Sequence, residues 1–318
     1  MFLRAISLVS IIGATFVSAQ DPDPPQIWEQ LKPWPEKEYR DWLNWQVQIN
    51  TYEHRDWLYR PEKCPGYDQN ELRFRTDGTS AIGKLVLAER KVELPGEHSM
   101  GVFDVKEPVP KRLRDEDKAH VLKVVDISDK SASCEPYALE QFGVWHRTGI
   151  RRGKGEDGTI VDYGGIYLRT EPGKDIRENK KWAKASEKQR LAYLEEVRAK
   201  VGGIVYDLFG RSTYKLIPGD FGPANVLLKT RFRKGTEQEQ EIFPSKTTLI
   251  DFGGNGILMG LAQPSSESVF EEWFNRRFKL LWGILYSWCG DPSILNEFAE
   301  WYLKEQEQKQ KSVQRLAH

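Results

Sequence analysis

The chain has 318 residues, 39% hydrophobic and 12% aromatic, enough for one large or two modest domains and too apolar for wholesale disorder. Lys plus Arg and Asp plus Glu both total 47, a formal net charge of zero, which argues against a dedicated nucleic-acid binder. Three cysteines, Cys64, Cys134 and Cys289, exclude a disulfide-dense scaffold and lack zinc-site spacing, and at most one disulfide can form within the chain.

At the N-terminus, Arg4 precedes an apolar stretch from Ala5 to Val17, and Val17-Ser18-Ala19 fits the small-x-small rule for cleavage before Gln20. This reads as a signal peptide over 1–19. Its apolar run is shorter than the ~20 residues that cross a bilayer as a helix. A secreted or secretory-lumen protein is expected, or a cytoplasmic one if the segment is not a signal. No second stretch is long and apolar enough to span a membrane, so no transmembrane anchor is expected.

Residues 20–66 form a tryptophan-rich extension with Trp28, Trp34, Trp42, Trp45 and Trp57. Trp42, Leu43 and Trp45 lie at helical spacing. The pattern predicts a helix clamped onto the main domain. An aromatic–basic stretch can also stack bases or sugars, or offer a surface to a protein partner.

From Glu71 to Asp126 the pattern changes to short strands, ELRFRT, KLVLAERKVEL, GVFDVKE and HVLKVVDI, punctuated by Gly78, Pro95-Gly96 and Pro108. KRLRDEDK between the last two reads as a solvated loop. Glu135 to Trp145 reads as a short helix and 159–168 as a strand. Lys180 to Phe209 is a long amphipathic helix, with Leu191, Leu194, Val197, Val201 and Val205 on one face. Short strands around Val226 and Leu249 flank a polar hairpin tip, RKGTEQEQ. Glu267 to Gln310 is helical. The order predicts an α+β chain, with a small β-rich lobe over about 67–170 and a larger helical lobe over about 171–310.

The chemistry is concentrated in two stretches. Lys215-Leu-Ile-Pro-Gly-Asp220-Phe-Gly-Pro-Ala-Asn225-Val-Leu-Leu puts an acid and an amide on a turn that runs into an apolar strand. Leu249-Ile-Asp251-Phe-Gly253-Gly254 closes a second apolar strand with another acid. One carboxylate can accept the proton of an attacking hydroxyl, while an amide oxygen and a second carboxylate hold Mg²⁺ against nucleotide phosphates. The alternative is that Asp220 and Asn225 merely cap a turn and Asp251 caps a helix.

Together these stretches resemble the protein-kinase-like superfamily and, within it, the aminoglycoside/choline-kinase-like phosphotransferases. The resemblance is sharp over roughly 214–256 and topological elsewhere. It implies a bilobal fold, ATP and Mg²⁺ as cofactors, Asp220 as catalytic base, and Asn225 and Asp251 as metal ligands. Gly253 lies in the metal-binding segment. Lys123 in His120-Val-Leu-Lys123-Val-Val resembles the strand lysine that pairs with the α- and β-phosphates, the alternative being an ordinary strand-edge lysine. Its glutamate partner should lie on the next helix. Glu140 is preferred over Glu135, because Tyr137-Ala-Leu-Glu-Gln-Phe is helix-like and Pro136 suits the first turn after Glu135. The phosphate-covering loop is assigned to Gly96–Gly101, with Gly78–Gly83 as a rival. One departure stands out: Pro218 occupies the position where the family usually has a loop-supporting histidine.

All three residues that do the chemistry are present, which favours an active enzyme over a pseudokinase that only binds a nucleotide or a protein. No A-P-E segment follows Asp251, which favours a small hydroxylated or amino substrate. An atypical secretory-pathway protein kinase is the further alternative. A metal-dependent hydrolase is disfavoured because the five histidines are scattered.

Overall fold

The computed structural model describes residues 36–60, 86–90, 101–106, 120–125, 135–142, 147–154, 160–169, 173–212, 215–234, 240–252, 257–261, 264 and 266–316. The expected signal peptide, strand ELRFRT and loop KRLRDEDK, and Gly78–Gly83, Gly96, Gly253, Cys64 and Cys134, lie outside the described residues.

The fold mixes helix and strand. Helix α1 (Glu36–Glu53) and the short strand β1 (Leu58–Tyr59) come first. Strands β2 (Val86–Arg90), β3 (Gly101–Lys106) and β4 (His120–Val125) lead to helix α2 (Glu135–Gln141). Strands β5 (Arg147–Lys154) and β6 (Ile160–Arg169) follow. These strands build an antiparallel five-stranded sheet in the order β2-β3-β4-β6-β5. Strand β5 has no counterpart in the sequence reading. Its RTGIRRGK sequence lacks apolar alternation, and it is fixed by pairing with β6 along its own whole length, from Arg147↔Tyr167 to Lys154↔Ile160.

The helix expected over Lys180–Phe209 is two helices, α3 (Lys180–Ala183) and α4 (Glu187–Arg211). Ser186 makes the break. Its hydroxyl accepts from the Gln189 backbone N–H while the Gln189 side chain accepts from the Ser186 N–H, a capping box. One face of α4 buries Leu194, Val197, Val201 and Val205, the apolar face its spacing predicts.

Beyond α4, β7 (Leu216–Pro218) precedes the hairpin β8 (Val226–Lys234) and β9 (Gln240–Leu249), and then β10 (Ile257–Gly260). Strand β10 is central to a three-stranded antiparallel sheet in the order β1-β10-β7. Pro218 is tolerated in β7 because an edge strand has a side on which no donor is needed. The C-terminal helical stretch is also two helices, α5 (Glu267–Ser287) and α6 (Ser293–Leu316). Gly290, with φ of 83°, turns the chain between them ahead of Pro292.

The main core gathers the α4 stripe, the aromatic face of α5, Leu216 and Ile217 of β7, Trp57 and Leu58. A second cluster joins Trp42 of α1 to Leu280, Ile294 and Phe298, with Tyr39, Leu43 and Val47 packed against it. Helix α1 therefore lies on α5 and α6. The stripe it buries runs through Tyr39, Trp42 and Val47, and Trp45 is turned outward, 48% exposed. Among the described residues no helix is long and apolar enough to cross a membrane.

Candidate functional site

Strand β7 ends at Pro218 and delivers Gly219 and Asp220 to a tight loop that closes as a 3₁₀ turn over Pro223–Asn225. Helix α5 holds this loop from below. Phe221 is fully buried, with Phe274 5.1 Å away and Trp273 6.2 Å away, ring centre to ring centre. Trp282 Nε1 donates to the Phe221 carbonyl at 2.8 Å, and Arg277 Nε donates to the Gly219 carbonyl. With the residues on either side of Asp220 tied down, its side chain is left facing the open side of the loop. The Gly222 N–H donates to Asp220 Oδ1 at 3.3 Å.

The hairpin brings the next two residues together. Register Val226↔Leu249 sets Asn225 across from Ile250, whose N–H donates to the Asn225 carbonyl at 2.9 Å. Asp251 is the next residue. Asn225 Nδ2 donates to the Asp220 carbonyl at 3.4 Å. Asp251 has a left-handed backbone, φ 62°, a conformation that aspartate tolerates better than most non-glycine residues. Such strain is retained where surrounding structure over-determines it, typically at functional sites.

From the five-stranded sheet, Lys123 of β4 reaches the same place. Its Nζ lies 2.6 Å from Glu135 Oε2 and 2.6 Å from Asp251 Oδ1. Burial works against the ammonium, but the two carboxylates outweigh it and hold its pKa above the ordinary lysine value. Burial pushes the Glu135 carboxyl up, and Lys123 only partly counters this. The Asp220 carboxyl is also raised, by desolvation first and by the charge of Asp251. The Gly222 N–H, Arg277 and Asn225 oppose the rise.

The carboxylate on α2 that pairs with Lys123 is that of Glu135, the alternative to the preferred Glu140, whose side chain lies outside the described ones. Glu135 is the first residue of α2 and points back to the sheet, fully buried. Glu140 lies near the far end of the same helix. Placing Pro136 in the first turn tilts the choice toward Glu140 over Glu135, although a residue at a helix start can still carry the ion pair. Gly101 is the first residue of β3, paired with Val124 beside Lys123. Phe252 packs on Phe142, just after α2, with ring centres 5.1 Å apart, so α2 touches the segment that carries Asp251.

Among the described residues, no group of three or more His, Cys, Asp or Glu side chains gathers to hold a metal alone. One carboxylate and one amide oxygen, from Asp251 and Asn225, suit a hard cation that takes its remaining ligands from phosphate and water, as Mg²⁺ does. The donor set therefore fits Mg²⁺ with a nucleotide and does not fit a structural zinc.

Sequence reasoning did not single out Arg277. The signal was present: an arginine at helical spacing within the Phe270, Trp273, Phe274 and Phe278 stripe, where an unsatisfied charge would be expelled.

No protein-family model and no curated protein matches the chain. Among solved structures, it is similar to the Cydia pomonella granulovirus kinase PK-1, at 12% identity and a TM-score of 0.33, over 68% of this chain and 73% of that one. The autoinhibited serine kinase domain of the giant muscle protein titin matches at 14% identity and a TM-score of 0.30, over 54% and 47%. WaaP in complex with acyl carrier protein matches at 12% identity and a TM-score of 0.29, over 77% and 92%. Scores at this level do not establish a shared fold, and the functional reading rests on the site's own residues.

Proposed function

We propose that the chain is an ATP- and Mg²⁺-dependent phosphotransferase with a bilobal, protein-kinase-like fold, moving a γ-phosphoryl group to a hydroxyl or amino group of a small molecule. One observation carries this reading. Lys123, Glu135 and Asp251 meet in one ion-pair cluster, and the hairpin register sets Asp251 beside Asn225, on the loop of Asp220. Chance capping of turns would not draw a buried lysine from a separate sheet to the same acid.

In this reading Asp220 accepts the proton of the attacking group, and its raised pKa makes it a better base than an ordinary aspartate. Lys123, kept charged by its carboxylates, pairs with phosphate oxygens. Asn225 and Asp251 would hold the metal, which supplies charge neutralisation on the phosphates. The acceleration comes from positioning and charge, with no covalent intermediate on the protein. The acceptor class is supported by the stretch after Asp251, which lacks an A-P-E anchor and enters α5 by Glu267. A secretory destination is supported by the N-terminal signal-like segment alone.

The test is Mg²⁺–ATP binding and slow ATP turnover by the full chain. The reading requires that Asp251→Asn lose metal-dependent binding and that Asp220→Asn bind ATP but not turn it over. A folded wild-type chain with no metal-dependent binding overturns it.

A further inference from the structure

Arg277 is 3% exposed, set among the aromatic rings of α5, where an apolar residue would fill the space at lower cost. Its guanidinium joins distant parts of the chain. Nε donates to the Gly219 carbonyl, and Nη1 donates to the Val47 carbonyl at 3.2 Å and to Thr51 Oγ1 at 3.1 Å. The first bond ends on the residue before Asp220, and the other two end on α1. Gly219 makes room for the guanidinium, since a Cβ there would lie 3.1 Å from Arg277 Nη2 and 3.0 Å from Leu258 Cγ.

The same N-terminal segment grips the loop by a second route. Strand β1 pairs with β10 through Leu58↔Gly260 and Tyr59↔Met259, and β10 pairs with β7, whose last residue, Pro218, precedes Gly219. The Leu261 N–H donates to the Trp57 carbonyl at 2.8 Å.

We propose that Arg277 is a positioning residue for Asp220, and that residues 36–59 are the strut that holds Arg277 in place. The geometry of the phosphoryl-transfer loop is then set in part by the tryptophan-rich segment. The inference rests on the phosphotransferase reading for its kinetic arm and stands on loop geometry for the other. Burial lowers the Arg277 pKa to about 10, against the charge of Asp220 and together with that of Arg60, so the guanidinium is charged at neutral pH.

The experiment compares Arg277→Gln, Arg277→Lys and Thr51→Val in the full chain, with Arg276→Gln as control. Arg276 also links α5 to α1 and α6, through Gln46 and Glu297, but shows no bond to the loop. The readouts are kcat and KM for ATP turnover and amide hydrogen exchange over 219–226. Arg277→Gln and Thr51→Val should lower kcat by about tenfold or more with KM for ATP little changed. They should also speed exchange in the loop while α4 stays protected. Arg277→Lys should recover part of the rate, and Arg276→Gln should change neither readout.

Unchanged loop exchange in both Arg277→Gln and Thr51→Val overturns the proposal. So does an equal loss in Arg276→Gln, which would mean that helix docking in general is what matters. If Arg277→Gln does not fold, Thr51→Val carries the test, because it removes a single hydroxyl from a half-buried site. A wild-type chain without ATP turnover sinks the phosphotransferase reading, and the exchange arm then decides the positioning role by itself.

Discussion

Lys123 and Glu135 meet at 2.6 Å with side chains only 7% and 2% exposed, and the same ammonium touches Asp251, which is 48% exposed. The lysine thus connects a dry carboxylate to a wet one. Removing it with Lys123→Met leaves two acids facing each other. Breaking a buried pair costs about 3–5 kcal/mol, lessened here as Glu135 takes up a proton. Urea unfolding should show that loss. Glu135→Gln should cost less, since Lys123 keeps Asp251, and the double variant should be more stable than the sum of single losses predicts.

The sign of the pH dependence follows from the same cluster. The folded-state pKa of Lys123 is above its ordinary value. Its stabilising contribution is therefore complete below the ordinary lysine range and is lost as pH rises through the higher folded value. Alkaline unfolding of the wild type should set in above pH ~10, and Lys123→Met should lack that component.

Asp220 behaves differently, because its pKa is raised mainly by desolvation. A raised carboxyl favours folding below the ordinary carboxylate range, and that contribution fades as pH rises through the folded value. Asp220 is exposed, so water screens much of this effect, and at neutral pH the ionised group is only a small cost to stability. Asp220→Asn should melt slightly higher than wild type at pH 7, and the difference should vanish near pH 3. Turnover should fall by about 10²–10⁴-fold. A melting scan across pH and an ATP turnover assay check both halves.

Asp251 combines charge with an unusual backbone. Asn tolerates φ of 62° nearly as well, whereas Ala should cost about 1 kcal/mol more than Asn in stability. Both should lose metal-dependent nucleotide binding alike. Calorimetric titration with ATP, with and without Mg²⁺, separates the charge effect from the backbone effect that urea unfolding reads.

Helix α6 packs tightly on α5 at Gly283, where a Cβ would lie 2.6 Å from Ile294 Cγ2 and 2.7 Å from its Cβ. Gly283→Ala should destabilise the chain by about 1–3 kcal/mol through overpacking. Ile294→Ala in the same chain should return part of the loss. Thermal melts of the single and double variants test the relationship.

The site was partly legible in the sequence because its pieces are local. Asp220 and Asn225 share one loop, and Asp251 ends the partner strand of the same hairpin, so the two motifs and the resemblance they carry grouped them. Choosing Glu135 over Glu140 needed the direction in which α2 leaves the sheet, which depends on a contact with Lys123. The role of Arg277 depends on the docking of α1, whose bonds to it span 226 and 230 positions of sequence. Fold boundaries followed the same division. The apolar face of α4 was readable by periodicity, while strand β5, rich in Arg and Gly, exists only because β6 offers it a full ladder.

The pairing of β1 with β10 also bears on how the chain is made. Residues 57 to 59 must wait for residues near 260, and Trp42 must wait for Phe298, before either is covered. On the ribosome, an aromatic helix and an unpaired strand therefore emerge well before the segments that cover them. Such distant contacts slow folding and leave sticky surface exposed during synthesis. Newly made chains should depend on chaperones until α6 emerges, and translation stalled before α6 should yield aggregates in which the tryptophan-rich segment is the adhesive part.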